Sequence, residues 1–239
     1  PCYVPGKDVV VPVDVQLPAA ELAKLPAPDN AAYACHADPR LADGTPKVLL
    51  FMGGSMNNMG RIEYSQGVRQ QIAQHHSNRT DFVLGGKFTL DQLREARFCL
   101  APSGWGWGWR LQLTMLTQCV PVIIQPNVTQ PFEDFLPYDA LSLRLSKGDI
   151  PRLPELLLAV PQARVCAMQT ALAKYYRAML WQRPHGPPHP NAYDMTMLSL
   201  CNRASRLKHA RSRRNTGAGF ARLPLDCAET PDAAGIRFL

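Results

Sequence analysis

Arg110 directly follows a loop in which glycine alternates with tryptophan, PSGWGWGW. The apolar run RFCLA precedes this loop, a helix-length stretch follows it, and CVPVII comes next as a second buried strand rich in β-branched residues. This order of strand, loop, helix and strand is typical of an α/β unit that binds a phosphate on the free N–H groups of a helix start. An arginine there can bind the phosphate through two parallel hydrogen bonds. The alternative is a βαβ unit whose arginine forms only a salt bridge.

The segments that must position this arginine alternate between strand and helix patterns. Apolar strand patterns also occur at KVLLFMG, DFVLGG and LSLRLS, and helix patterns cover residues 65–76, 89–96, 149–160 and 162–181. Thr89 and Asp149 are expected to cap the second and third of these helices. We therefore predict an α/β fold, a Rossmann-like parallel sheet with helices on both faces. Ligands of such sheets bind beyond the carboxyl ends of the strands, which places the loops 53–59, 102–109 and 125–133 on one rim.

Two sequence segments that include these rim loops resemble a known protein family. FCLAPSGWGWGWR, followed by CVPVIIQPNVTQPFEDFLPY, resembles the exostosin-type family of inverting glycosyltransferases. Shorter similarities extend the resemblance over roughly residues 1–182, at PGKDVVVP, LLFMGG, YSQGVRQ and LSLRL. The resemblance implies a GT-B protein with two facing Rossmann-like domains, of which this chain is the C-terminal, donor-binding half. Its partner, the acceptor-side N-terminal domain, is expected to be missing from this chain.

The resemblance also implies the residues of a donor site. Two arginines, one in the first helix and one after the glycine-rich loop, would bind the diphosphate, glycines would let the donor approach the backbone, and an acidic pair in PFED would lie near the donor. Alternatives are a surface cation for the first arginine and helix caps for the acids. Trp105 and Trp107 could stack on the base or a sugar, or pack under the loop. The candidate donor-binding residues are Arg69, Arg110, Gly53, Gly54, Ser103, Gly104, Glu133 and Asp134, and Arg61 is a weaker candidate.

One position departs from the family pattern. Relatives carry an acid three residues after the helix-start arginine, and the resemblance implies that it accepts a hydrogen bond from the ribose hydroxyls. This chain has Leu113 there, and Gln118 stands where relatives have a glycine. Leucine accepts no hydrogen bond, so donor binding should be weaker by about 1.5–3 kcal/mol. We expect Leu113→Asp to restore that affinity.

The positive charge of the chain is concentrated near its end. The 239 residues carry a net charge of +7, but residues 203–239 hold eight of the cations and three of the acids, so the remainder carries only +2. The predicted organisation is an irregular, proline-rich lead-in (1–46), a nucleotide-sugar-binding domain (47–182), a proline-rich edge with a short helix (183–202) and a basic tail (203–239) that is disordered or weakly helical. In the lead-in, VVVPVDV could form a short strand, and a loop surrounds Cys35. The tail is interpreted as solvated, with an anionic membrane surface as the alternative. No nucleic-acid partner is predicted, because no such motif accompanies the tail.

The seven cysteines are too few and too scattered for a disulfide scaffold, and none forms a CxxC pair that would indicate zinc. Cys99 and Cys119 are interpreted as small buried apolar residues. Two sequons, at Asn78 and Asn127, fit a lumenal protein. The sequence shows no signal peptide and no apolar run of membrane-spanning length. The resemblance implies a Golgi protein anchored through an N-terminal segment that this chain lacks.

The resemblance therefore implies the donor-binding half of an inverting glycosyltransferase, which transfers a sugar from a nucleoside diphosphate sugar to a glycan acceptor such as a cell-wall polysaccharide. The donor is expected to be a UDP-sugar, with no metal and no further cofactor. Attack by an acceptor hydroxyl requires a base, which is expected from the interface with the missing domain and is not identified here. The alternative is a non-catalytic exostosin-like assembly or binding subunit, which would form a hetero-oligomer with a related transferase.

Overall fold

The computed structural model describes residue 4 and residues 7–26, 46–56, 60–61, 63–105, 108–182 and 190–212, with side chains to residue 205. The predicted loop around Cys35, the side chain of Trp107 and residues 213–239 of the predicted tail lie outside them.

A parallel sheet forms the centre of the domain. Its five strands lie in the order β2-β1-β3-β4-β5, and every neighbouring pair is parallel. The predicted α/β parallel sheet is therefore confirmed, and the carboxyl ends of all five strands share one edge. The strands are β1 (Leu50–Met52), β2 (Phe82–Leu84), β3 (Phe98–Pro102), β4 (Val120–Ile124) and β5 (Leu143–Arg144).

Helices connect the strands and cover the sheet. The α-helices are α1 (Ala19–Leu22), α2 (Val68–His76), α3 (Leu90–Arg94), α4 (Arg110–Leu116), α5 (Tyr138–Leu141), α6 (Leu153–Leu158), α7 (Gln162–Tyr175) and α8 (Ala192–Ser212). Three 3₁₀ segments accompany them, Tyr64–Gly67, Lys147–Arg152 and Tyr176–Met179.

One predicted helix cap is observed, and two helix boundaries differ from the prediction. Thr89 caps α3 as predicted, with a reciprocal capping box to Gln92. Asp149, predicted as a cap, instead lies three residues inside a 3₁₀ turn capped by Ser146, where its carboxylate accepts from the Ser146 N–H at 2.8 Å. The predicted helix 162–181 ends at Tyr175 and tightens into a 3₁₀ turn, because tighter i to i+3 bonding is common at helix ends.

Alternate residues of β1 pack into two apolar clusters. Leu50 and Met52 belong to the larger cluster, together with α2 and α7, whereas Phe51 between them belongs to the smaller cluster with Leu93 of α3. Because successive side chains of a strand point to opposite faces, β1 contributes one face to each cluster. The larger cluster also takes consecutive residues of β4, from Val122 to Ile124. Helix α4 contributes to both clusters, so all seven of its residues are buried.

The interpretation of Cys99 and Cys119 as simple apolar residues is wrong. They form a disulfide between β3 and the start of β4, with their Cα atoms 5.7 Å apart. The two positions are 20 residues apart in sequence and become neighbours only when the two strands pair, which the spacing alone could not reveal. Cys166 is disulfide-bonded as well.

The described part of the lead-in packs against the domain without forming a strand, although VVVPVDV was predicted as a possible one. The Val10 carbonyl accepts from the Phe132 N–H at 3.0 Å, and the Pro12 carbonyl accepts from Trp181 Nε1 at 3.0 Å. Proline removes the N–H groups that a sheet ladder needs, which explains the irregular backbone. The lead-in therefore contacts both the loop after β4 and the segment that follows α7.

Helix α8 extends beyond the predicted start of the tail at residue 203. Its backbone is helical to Ser212, and Arg203 is 7% exposed with an ion pair of 2.8 Å to Asp134. In the ranges that are described, no single helix is long and apolar enough to cross a membrane, and residues 147–158 and 162–179 meet those criteria only as a pair bent by 103°. The apolar side chains of that pair are largely buried in the larger cluster.

Replacing both Cys99 and Cys119 by alanine is expected to lower the free energy of unfolding by about 2–4 kcal/mol, because the unfolded chain loses the constraint of a closed loop. Urea denaturation measures this change. Thr170→Ala, on the exposed face of α7, is the control and should change stability by less than about 0.5 kcal/mol. A double variant as stable as the control variant would contradict the bridge.

Candidate functional site

The loops after β1 and β3 meet at the carboxyl edge of the sheet, as the sequence predicted. The turn that precedes α2 joins them to the loop after β4. The Ser65 N–H donates to the Gly104 carbonyl at 2.8 Å, and Gln66 Nε2 donates to the Pro126 carbonyl at 3.1 Å. Hydrogen bonds to backbone carbonyls therefore connect the loops of the rim, and two arginine side chains lie inside it.

Arg69, from the first turn of α2, holds two rim loops in place. Its side chain is 4% exposed, and it donates to the Ser55 carbonyl at 2.8 Å and twice to the Ser103 carbonyl, at 3.2 and 3.0 Å. The guanidinium also lies 4.7 Å from the centre of the Tyr64 ring. The surface-cation alternative for Arg69 is therefore wrong: the guanidinium is a buried clamp between the loops after β1 and β3.

Arg110, at the start of α4, is buried, and no described residue supplies it with a counter-charge. It is 8% exposed, its Nε is buried without a hydrogen-bond partner, and within the described residues it forms no ion pair. Its guanidinium lies over the rings of Phe88 and Trp109, at 4.4 and 5.1 Å. The alternative in which Arg110 only forms a salt bridge is therefore not observed among the described residues.

The pKa of Arg110 is lowered from its ordinary value to about 10, mainly by burial and also by the positive charge of Arg69, with a smaller opposing effect from Tyr64. Burial also lowers the pKa of Arg69. Both effects penalise the charged form, as expected for two cations that share a desolvated place. At neutral pH Arg110 is still protonated, so the penalty is fully present and is relieved only as the pH rises through about 10. An anion next to Arg110 would reverse it.

The backbone favours glycine at position 54, where φ is +88°. A Cβ atom there would also collide with Arg110 Nη2, so the guanidinium would have to move. A Cβ atom on Gly53 would lie 2.5 Å from the Phe88 ring. The two glycines predicted for close donor approach thus make room for the arginine and for the ring beneath it. Gly104 has ordinary space, with its nearest neighbour 3.7 Å away in Tyr64.

Two serine hydroxyls at the same loops have no hydrogen-bond partner in the part of the chain that the structure describes. Ser103 Oγ, a predicted site residue, and Ser65 Oγ, which sequence reasoning missed, are both buried and unpaired. Ser65 and Gln66 have φ values of 59° and 51°, so two non-glycine residues before α2 adopt the left-handed conformation. Each costs about 1–3 kcal/mol, and such strain is common at functional sites. The sequence signal was only YSQG, in which Gly67 shares the positive φ.

The acidic pair is engaged elsewhere on the rim. Glu133 pairs with Arg144 at 2.6 Å and accepts from the Gln130 N–H at 2.7 Å, whereas Asp134 pairs with Arg203 of α8 at 2.8 Å. None of these contacts involves Arg69 or Arg110. The two carboxylates fix the loop after β4 to the sheet edge and to α8, and their predicted place near a donor stays a prediction.

The tryptophan loop presents aromatic surface beside the arginines. Trp105 is 63% exposed, with its ring edge-on to Tyr64 at 5.5 Å and Arg61 6.0 Å from its centre. Packing beneath the loop is therefore wrong for Trp105. Trp109 is 44% exposed and lies beside Phe88. Two indole faces are thus open to solvent at the rim.

Leu113 does not offer a position for a ribose-binding carboxylate. It is 2% exposed and belongs to the smaller apolar cluster, which contains Phe51, Leu93 and the Cys99–Cys119 bridge. An aspartate there would put its carboxylate among apolar side chains. The expectation that Leu113→Asp restores affinity is therefore not supported by this packing. Over the described residues, no cluster of three or more His, Cys, Asp or Glu side chains could hold a metal ion.

Comparison with known proteins points to one family. The family model of the Exostosin GT47 domain matches residues 3–160. A probable glucuronosyltransferase of Oryza sativa subsp. japonica is 28% identical over 67% of this chain and 42% of its own length. A probable beta-1,4-xylosyltransferase of Arabidopsis thaliana is 29% identical over 52% of this chain and 30% of its own length. The chain thus spans less than half the length of either relative. The crystal structure of TarM overlaps 60% of this chain and 34% of its own, with a TM-score of 0.35 and 12% identity.

The two arginines should respond in opposite ways to neutral replacement. Arg69→Met is expected to lower the free energy of unfolding by about 2–4 kcal/mol, because it leaves the Ser55 and Ser103 carbonyls without their donors. Arg110→Met should not lower it, because the variant removes an uncompensated buried cation and keeps an apolar contact with Phe88. Urea denaturation of the two variants, without any ligand, measures both. The reverse order of stability would contradict the different roles.

Leu113→Asp is expected to lower the free energy of unfolding by about 3 kcal/mol or more, because it buries an unpaired carboxylate. Leu113→Met, which conserves volume, is the control and should cost less than about 1.5 kcal/mol. Thermal and urea unfolding measure both variants. A stable Leu113→Asp protein that binds UDP more tightly than the wild type would show that this position faces the ligand after all.

Proposed function

Since this chain belongs to the exostosin GT47 family, we propose that it is the donor-binding half of an inverting glycosyltransferase of the GT-B type. The donor is a UDP-sugar and the acceptor is a glycan hydroxyl. The acceptor-side domain lies in a part of the protein that this chain does not contain. The similarity to probable glucuronosyltransferases and xylosyltransferases supports the reaction class. The names of these relatives refer to different sugars, so the proposal names no particular sugar.

The observation that carries this proposal is the uncompensated guanidinium of Arg110. A protein seldom buries a charge without a partner, because desolvation costs several kcal/mol. In the described residues Arg110 has no carboxylate partner and no acceptor for its Nε, only the ring faces of Phe88 and Trp109, and Gly54 leaves room for its Nη2 atom. A diphosphate would supply the missing charge. The ligand, rather than another side chain, then completes the ion pair.

The neighbouring groups suit the same ligand. Ser65 and Ser103 bring unpaired hydroxyls that can donate to phosphate oxygens. Arg69 uses its hydrogen bonds on backbone carbonyls, so it orients the loops and adds long-range positive charge instead of a direct contact. The exposed face of Trp105 is available for stacking against the base or a sugar.

In the proposed reaction, the acceptor hydroxyl attacks the anomeric carbon of the donor while the bond to the diphosphate breaks. The hydroxyl loses its proton to a base from the acceptor side, and attack opposite to the leaving group inverts the configuration. Negative charge develops on the departing diphosphate. Arg110 stabilises that charge more strongly than it stabilises the intact donor, because the site is already desolvated and preorganised.

The disulfide chemistry supports a place in the secretory pathway. The Cys99–Cys119 bridge and the bonded Cys166 fit an oxidising compartment, because cytosolic thiols are kept reduced. We place the protein in the Golgi lumen, where a glycan acceptor and nucleotide sugars meet. The anchor would be an N-terminal segment outside this chain.

A second function is a non-catalytic assembly subunit that pairs with an active relative. Leu113 favours it, because the position at which relatives carry an acid is filled here by an apolar core residue. Such a subunit would keep the fold and the rim but would bind no nucleotide. Nucleotide binding therefore separates the two functions.

Calorimetric titration of the purified chain with UDP tests the proposal. The wild type should bind, and Arg110→Met should weaken binding about 10- to 100-fold, the equivalent of one hydrogen-bonded charge. Arg79→Met is the matched control, because it removes the same charge from an ion pair with Asp81 at the opposite edge of the sheet. This control should bind as the wild type does.

Three outcomes would decide against the donor site. If both arginine variants weaken binding equally, the effect comes from net charge and not from Arg110. If Arg110→Met binds as well as the wild type, the diphosphate lies elsewhere. If no nucleoside diphosphate binds even at millimolar concentration, the assembly function replaces the catalytic one.

A further inference from the structure

We propose that Asn78 is a site of N-linked glycosylation, placed so that the glycan points away from the donor rim. Asn78, Arg79 and Thr80 form an acceptor sequon, N-x-T, between α2 and β2. Such sequons arise often by chance, so the positions of the three side chains decide whether this sequon is accessible for modification.

The local geometry leaves the acceptor groups open. Asn78 and Thr80 are both exposed, in a turn that begins as the Ser77 N–H donates to the Ala73 carbonyl at 3.1 Å. Arg79 turns aside, since its guanidinium donates to both carboxylate oxygens of Asp81 at 2.8 and 2.7 Å. The middle residue of the sequon is thus held by its neighbour, and the asparagine and threonine face solvent.

The turn lies at the end of the sheet opposite to the rim. Helix α2 runs from Gly67, at the rim, to its last residue His76, two positions before Asn78. Nine helical residues span about 14 Å, which separates the sequon from the arginine site. A glycan on Asn78 would therefore extend from the amino edge of the strands without covering Ser65, Ser103 or Arg110.

The second sequon has the opposite placement. Asn127 is exposed, but it has a φ of 58° in the rim loop after β4, where the preceding carbonyl of Pro126 accepts from Gln66 Nε2. Its Thr129 is partly buried and lines a small depression with Gln130 and Arg203. A glycan there would stand on the rim itself. The structure thus favours Asn78 as the position where a glycan is tolerated.

The compartment follows from the disulfides and does not depend on any transferase activity of this chain. The Cys99–Cys119 bridge indicates passage through an oxidising secretory compartment, where N-glycosylation takes place. In the transfer, Asn78 Nδ2 forms a bond to C1 of the first sugar of a lipid-diphosphate-linked oligosaccharide. The bond from C1 to the diphosphate oxygen breaks, the amide loses one proton and the lipid diphosphate leaves, without any redox change.

The test uses the full 239-residue chain behind a cleavable secretion signal in a eukaryotic host. The secreted protein is treated with a peptide-N-glycosidase, and the conversion of Asn78 to aspartate is located by peptide mass spectrometry. Asn78→Gln and Thr80→Ala should each remove one glycan. Thr80→Ser should keep it, since serine also completes the sequon, and this variant separates loss of the sequon from damage to the turn.

Secreted wild-type protein that contains the Cys99–Cys119 bridge but an unmodified Asn78 would overturn the proposal. Loss of the glycan from Thr80→Ser as strongly as from Thr80→Ala would also overturn it, because the hydroxyl would then not be what matters. A glycan on Asn127 alone would show that the rim, and not the amino edge, carries the modification.

Discussion

The buried positive charge of Arg110, which meets no counter-charge among the described residues, is the constraint around which the rim is arranged. Its guanidinium occupies the space that a side chain at Gly54 would need, and it lies over Phe88, whose ring in turn leaves no space for a side chain at Gly53. Arg69 adds a second cation, which penalises Arg110 further, and fixes the loops by binding their carbonyls. Such an arrangement is unfavourable without a ligand and becomes favourable with a dianion, which is how a binding site differs from a structural ion pair.

The sequence predicted the sheet well because its strands are short apolar runs separated by glycine-rich loops, and the parallel α/β architecture follows from that alternation. It could not reveal contacts between distant residues. The Cys99–Cys119 bridge needs β3 beside β4, and the pairing of Asp134 with Arg203 needs α8, which continues from the predicted short helix into the predicted basic tail. Residues far apart in sequence leave no local pattern that predicts such pairs.

The candidate site was predicted in part. Arg110, Gly54 and Ser103 were found through a family resemblance, and the structure brings them together. The roles of Arg69 and Leu113 depended on which way each side chain points, and helical spacing does not determine that. Gln118 illustrates the same limit. It replaces a glycine of the family pattern, yet it keeps the left-handed backbone that a glycine would favour, with a φ of 54°, and its Nε2 donates to the Leu116 carbonyl.

If the rim binds a diphosphate, the phosphates should supply most of the affinity for UDP and the nucleoside should add to it. Competition calorimetry on the wild-type chain measures this, with UDP as the ligand and pyrophosphate or uridine as the competitor. Pyrophosphate should displace UDP, and uridine alone should bind at least about ten times more weakly than UDP, since the charge-assisted contacts lie at the phosphates. Equal binding of uridine and UDP, with no displacement by pyrophosphate, would contradict diphosphate binding at the rim.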